Sequence, residues 1–149
     1  MTQEKKGSRY WDDRFSSQDY AYGEAPNDFL VWAAPQVKIE CLLADLNDFQ
    51  LEPNAWDVVV SVFSQPESPI RQRLNAQLPK SLRVGGALIH ESKVSAEDNA
   101  SGKYPGVEIL QGEIAPLHVS FAHQGVRTLA EGSYHTGSHT TAQILAFRI

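Results

Sequence analysis

Trp56-Asp57-Val58-Val59-Val60-Ser61-Val62-Phe63 leads through Pro66, Ser68 and Pro69 into a segment whose apolar residues Ile70, Leu74, Leu78 and Leu82 recur every four positions. Val84-Gly85-Gly86 then turns the chain into Ala87-Leu88-Ile89-His90-Glu91. The first run has a β-branched centre without alternation, as expected of a strand covered on both faces in a parallel sheet. The four-residue spacing puts one apolar stripe on a helix running from Ser68 to about Leu82. Strand, amphipathic helix, Gly-Gly turn and strand make a βαβ unit, a connection that is right-handed almost without exception. The fold class is therefore α/β.

Upstream of that unit, Asn27 is a good N-cap, with Asp28 in the first turn and Phe29 to Ala34 as a short helix stopped by Pro35. Gly23 and Pro26 punctuate the loop before it, and a helical turn around Arg9 to Phe15 carries Tyr10, Trp11 and Phe15. Residues 1–8 read as a frayed tail. Lys38 to Leu43 is a strand candidate, and Asp45 to Asn54 is an acidic loop. The single cysteine, Cys41, lies inside the apolar run Ile39 to Leu43 and reads as a small buried hydrophobe. Downstream, Val94 to Tyr104 is a polar loop and Gly106 to Ile114 a brief helix closed by Pro116. His118 to His123, Val126 to Glu131 and Thr140 to Arg148 read as extended. The Gly-rich link from Gly132 to Ser138 makes the last two an antiparallel hairpin.

At 149 residues, 42% of them hydrophobic and 21% charged, the chain fits one globular domain, residues 1–149, with a single core. The net charge is -5 and the 13 basic residues are scattered, so the footprint of a nucleic-acid binder is absent. No apolar run approaches membrane-spanning length, and the polar start carries no signal region, so no membrane partner and a cytoplasmic location are expected. One cysteine excludes an internal disulfide framework.

Ligands of open α/β sheets bind beyond the carboxyl ends of the parallel strands. Two such ends are readable, Ala44-Asp45-Leu46 and Ser61-Val62-Phe63-Ser64-Gln65-Pro66. There an Asp can accept from an exocyclic amine and Phe63 can cover an apolar ring; a loop residue and a core residue are the ordinary alternatives. His90 and Glu91 end the next strand. The five histidines show no structural-zinc spacing, and His135-Thr136-Gly137-Ser138-His139 reads as a polar turn, so no metal is expected. Neither a Gly-x-Ser-x-Gly elbow nor a Walker-type loop occurs, and no catalytic residue can be named.

Four blocks, in order, resemble the tellurite-resistance and thiopurine-methyltransferase-like branch of class I S-adenosylmethionine (SAM) methyltransferases. They are Trp11-Asp12-Asp13-Arg14-Phe15 with Tyr22-Gly23-Glu24-Ala25-Pro26-Asn27-Asp28-Phe29-Leu30; Ala44-Asp45-Leu46 with Trp56 to Phe63; Leu82-Arg83-Val84-Gly85-Gly86 with Ala87 to Glu91; and Glu131-Gly132-Ser133-Tyr134-His135-Thr136-Gly137. The resemblance implies a Rossmann-like sheet and SAM as cofactor, with a small molecule as methyl acceptor and residues 1–26 as an N-terminal lid and tail. By carry-over, Tyr22 and Asn27 would cover the methionine end, and Asp45 would meet the adenine amino group with Leu46 beside it in the chain. Ser61, Val62 and Phe63 would line the pocket near the sulfonium.

The chain departs from that family between Pro35 and Ile39. There the family has a first strand, a Gly-rich loop, a second strand ending in an acid, and two helices. The loop and the acid carry most of the polar grip on such a cofactor. The expectation is a truncated methyltransferase sheet of about five strands, mostly parallel with a C-terminal antiparallel hairpin and helices on its faces. In it the Lys38 strand closes up beside the Trp56 strand, or the exposed edge pairs in a homodimer. Two functions follow: a methyltransferase-like protein whose pocket is incomplete in the monomer, or a non-catalytic remnant of the fold serving as a binding or assembly module.

Overall fold

The computed structural model describes Ser16 and residues 27–36, 43–95, 102–131 and 135–149. The turn expected at Arg9 to Phe15, Tyr22, Cys41 and nearly all of the Lys38 to Leu43 strand lie outside the described residues. Leu43, the last residue of that stretch, is fully exposed and belongs to no strand.

The described chain runs α1 (Asp28–Ala33), a 3-10 turn (Ala34–Gln36), β1 (Trp56–Val62), α2 (Ser68–Asn75), α3 (Leu78–Ser81), β2 (Leu82–Lys93), α4 (Val107–Glu113), β3 (His118–Ala130) and β4 (Thr136–Phe147). Asn27 caps α1 as expected, its side-chain oxygen accepting from the Leu30 N–H at 3.1 Å. The helix expected from Ser68 to about Leu82 is broken in two. Pro79 has no N–H to give to the carbonyl of Asn75, so α2 ends there and α3 restarts with the proline in its first turn.

The strands form one sheet in the order β1-β2-β4-β3. β1 and β2 are parallel, which establishes the βαβ unit, while β2–β4 and β4–β3 are antiparallel. The expectation of a mostly parallel sheet therefore fails among the described strands, of which there are four. The reason is the hairpin: β4 folds back between β2 and β3, where Ala142, Ile144 and Ala146 supply a small apolar face to set beside Leu88. At the start of β2 the chain must pass close to β1. A Cβ on Gly86 would lie 2.8 Å from the Arg83 carbonyl oxygen and 3.1 Å from those of Trp56 and Asp57. Gly85 beside it has a φ of +83°, so both glycines are demanded by the backbone.

Strand alternation divides the core between two faces. On the first face Leu88, Ala142, Ile144 and Ala146 meet Leu78 and Leu82 from the α3 region and Leu110 and Ile114 from the α4 region. On the second, Val58, Ala87, Ile89 and Leu145 meet Phe29 and Ala33 of α1. Stacking of Phe29 on Trp32, with Phe121 of β3 6.2 and 6.1 Å from the two rings, extends that contact across the sheet. No described helix is long and apolar enough to cross a membrane.

Burial separates sensitive from tolerant positions. Ile144→Ala, at 1% exposure, should lower unfolding free energy by about 2–5 kcal/mol. Val126→Ala, at 76%, should stay within about 0.5 kcal/mol of the parent in urea denaturation.

Candidate functional site at the carboxyl ends of β1 and β2

Beyond Val62 the chain turns sharply through Phe63-Ser64-Gln65-Pro66. Phe63 and Gln65 adopt φ values of +50° and +31°, conformations that non-glycine residues rarely hold. This turn sends the Ser64 and Phe63 side chains to opposite sides of the sheet. The Ser64 hydroxyl joins that of Ser61 at 3.0 Å on the first face, while the Phe63 ring meets His135 edge-on at 4.6 Å between centroids. The Gln65 amide donates to the Lys93 carbonyl, holding the turn against the end of β2.

On the first face a cavity of about 210 Å³ opens between β1, β2, α2 and the loop at Leu46 to Leu51. Val59, Leu74, Leu78 and Leu88 make it apolar; Ser61, Ser64, His90 and Asn75 give it polar points. His90 bonds through Nε2 to the Ser92 hydroxyl at 3.0 Å. Burial pulls its pKa down to about 4, with Glu113 opposing and Arg71 reinforcing, so the imidazole is neutral at physiological pH. Behind the wall, Arg71 forks onto Glu113 at 2.8 Å and donates to the Gly102 carbonyl, while the Asn75 amide also donates to Glu113. That ion pair is fully engaged.

On the second face Glu91 is wholly buried. Its carboxylate accepts from Arg127 at 2.5 Å, Asn27 at 2.9 Å and Gln143 at 3.0 Å. Burial raises its pKa, the Asn27 and Gln143 hydrogen bonds oppose that, and nearby Glu131 adds to it. The same Asn27 amide donates to Glu131 at 3.0 Å, and Arg127 also pairs with Asp28 at the start of α1. His135 lies 3.6 Å from Glu131; burial and the Lys93 charge lower its pKa, which Glu131 opposes.

The residues expected to form one pocket are therefore split. Leu46 and Ser61 line the cavity. Asn27 and Phe63 stand on the opposite face, in the Glu91 cluster and against His135 respectively. Val62, at the end of β1, pairs with Glu91 in the sheet register. Asp45 is exposed in a tight turn, its carboxylate accepting from the Asn47 backbone N–H at 2.8 Å and its side-chain amide at 3.0 Å; those bonds hold its pKa below the usual range. Glu91, Arg127, Glu131 and Gln143 were not expected as a group. The acid that closes an apolar strand was the available signal, but its partners come from distant parts of the chain.

SAM fits these described residues only in part. The Asn27 amide hydrogens go to Glu91 and Glu131, Asp45 does not line the cavity, and the cavity is smaller than the ~300–1,000 Å³ usual for drug-sized ligands. Among the described residues no three His, Cys, Asp or Glu side chains are grouped to hold a metal ion.

Two outcomes test this geometry. In the unfolded chain His90 takes up a proton near pH 6.5, whereas the folded chain resists until about 4. The unfolded state thus binds more protons in that window, and stability should fall by an order of 3 kcal/mol as pH drops from 6.5 to 4. His90→Gln should flatten that part of the denaturation profile. Asn27→Ala removes a helix cap and two bridging bonds; it should destabilise α1 by about 1–2 kcal/mol, seen as faster amide exchange across residues 28–33.

No family model matches the chain, and no curated protein matches it. Among solved structures the chain is similar to the N-methyltransferase NodS from Bradyrhizobium japonicum WM9, with 16% sequence identity and a TM-score of 0.50. The match covers 70% of this chain and 57% of that one, so the chain spans little more than half the length of the enzyme it resembles. What is shared is the fold, an α/β sheet.

Proposed function

We propose that the chain is a SAM-dependent methyltransferase-like protein of the tellurite-resistance and thiopurine-methyltransferase-like branch, cytoplasmic, whose acceptor is a small molecule. Its cofactor pocket is incomplete in the monomer and is finished by a second copy or by sequence that belongs between Pro35 and Ile39. The observation that carries this reading is the fold shared with an N-methyltransferase, joined to a cavity at the carboxyl ends of β1 and β2 that Leu46 and Ser61 both line. In an open α/β sheet that end is where ligands bind.

A second reading draws on the edge of the sheet. β1 ends the described strand order, its Val58 to Val62 stretch carries no charge or proline, and Val60 is 38% exposed. Such a strand lacks the usual guards against pairing with another chain. On this reading the protein is a non-catalytic remnant whose β1 pairs with the same strand of a second copy, an isologous contact that closes a homodimer.

Calorimetric titration with S-adenosylhomocysteine separates the two. A completed pocket predicts saturable heat whose affinity rises with protein concentration. No heat and no thermal shift at millimolar ligand rejects the first reading. Sedimentation tests the second: a dimer that Val60→Lys converts to monomer supports edge pairing, and a monomeric parent chain rejects it.

A further inference from the structure

We propose that the cavity between β1, β2 and α2 is a binding site for a neutral, ring-sized organic molecule with one hydrogen-bonding group, in the class from phenol to indole. The cavity is the one the cofactor reading uses, but the inference does not rest on methyl transfer, because it draws only on the described walls.

Size comes first. The cavity holds about 210 Å³. Roughly 150 Å³ of apolar space accommodates a benzene molecule, so one or two fused rings match this volume. Its surface is mainly apolar, with Phe49, Val59, Leu74, Leu78 and Leu88 around it. Water in such a space finds few partners, and a ring that displaces it gains contact with every wall.

Polarity then selects the ligand. The Ser61 and Ser64 hydroxyls share one hydrogen between oxygens 3.0 Å apart, which leaves the second hydroxyl hydrogen and several lone pairs for a guest. His90 is 7% exposed and lines the cavity; its ring is engaged at Nε2 by Ser92, and Nδ1 has no hydrogen bond of its own among the described residues. Whichever way the Ser92 hydrogen points, Nδ1 offers a guest the complementary role. Asn75, also on the lining, gives its amide to Glu113. The His90 nitrogen and, at the exposed mouth, the Ser61–Ser64 hydroxyl pair are groups that a single O–H or N–H of a ring compound would satisfy.

The described lining disfavours an anion. The Arg71 side chain on the lining is taken by Glu113 at 2.8 Å and by the Gly102 carbonyl, and Lys103 lies over the neighbouring Tyr104 ring. Among the described lining residues an anionic guest would meet an apolar space and no uncommitted guanidinium.

The test is a titration of the full chain with benzene, phenol, indole and benzoate, read by thermal shift and by two-dimensional amide NMR. Phenol should bind saturably, about three- to tenfold more tightly than benzene, as one net hydrogen bond implies. Benzoate should bind at least about tenfold more weakly than phenol. Ser61→Ala should erase most of the preference for phenol while benzene still binds, and Val59→Phe, which fills the hole, should abolish both. Should Val59→Phe fail to fold, the ligand series on the parent and on Ser61→Ala decides. The proposal is overturned by the absence of saturable shifts at cavity residues, by benzoate binding as well as phenol, or by affinities that Ser61→Ala leaves untouched. S-adenosylhomocysteine run in parallel keeps the outcomes apart, since its failure to bind leaves these predictions standing.

Discussion

The carboxylate of Glu91 sits where no water reaches it, at the end of the central strand β2. A charge in that position needs several donors, and the chain supplies them from three directions: Asn27 ahead of α1, Arg127 on β3 and Gln143 on β4. Those three residues span the described chain from its first helix to its last strand. Much of the second face follows from this convergence. Arg127 reaches Asp28 as well, so the α1 terminus is tied to the hairpin, and the aromatic stack of Phe29, Trp32 and Phe121 lies along the same join.

The two faces of the sheet have become chemically different. One is an ionic and aromatic seam that locks α1 in place. The other keeps a mostly apolar hole under α2, with a neutral imidazole in its wall. Phe63 and Gln65, both with positive φ, mark the boundary. Their strained turn is held by the Gln65 bond to Lys93 and the Phe63 contact with His135, and it sets Ser64 and Phe63 on opposite sides. Of the stretch Ser61-Val62-Phe63, Ser61 lines the cavity while the Phe63 ring lies against His135.

Legibility followed the range of the interactions. The β1–α–β2 unit, the Asn27 cap and the closing hairpin rest on residues near one another in the chain, and each is present in the structure. The single long helix was a reading of apolar spacing that gave too little weight to Pro79, whose effect on a helix interior is local and knowable. The insertion of β4 between β2 and β3 was not legible, because a strand carries no mark of which neighbour it will choose. The Glu91 cluster was hidden for the same reason.

By itself, then, the sequence determined the α/β class, the parallel pair, the glycines at the β1–β2 approach and the capped first helix, all set by backbone sterics and hydrophobic period. Only the tertiary structure decided which strands became neighbours, which face each candidate residue joined, and that Asn27 serves a buried acid. Those outcomes depend on desolvating charges and closing a core among residues far apart in the chain, energies that have no signature in any local stretch.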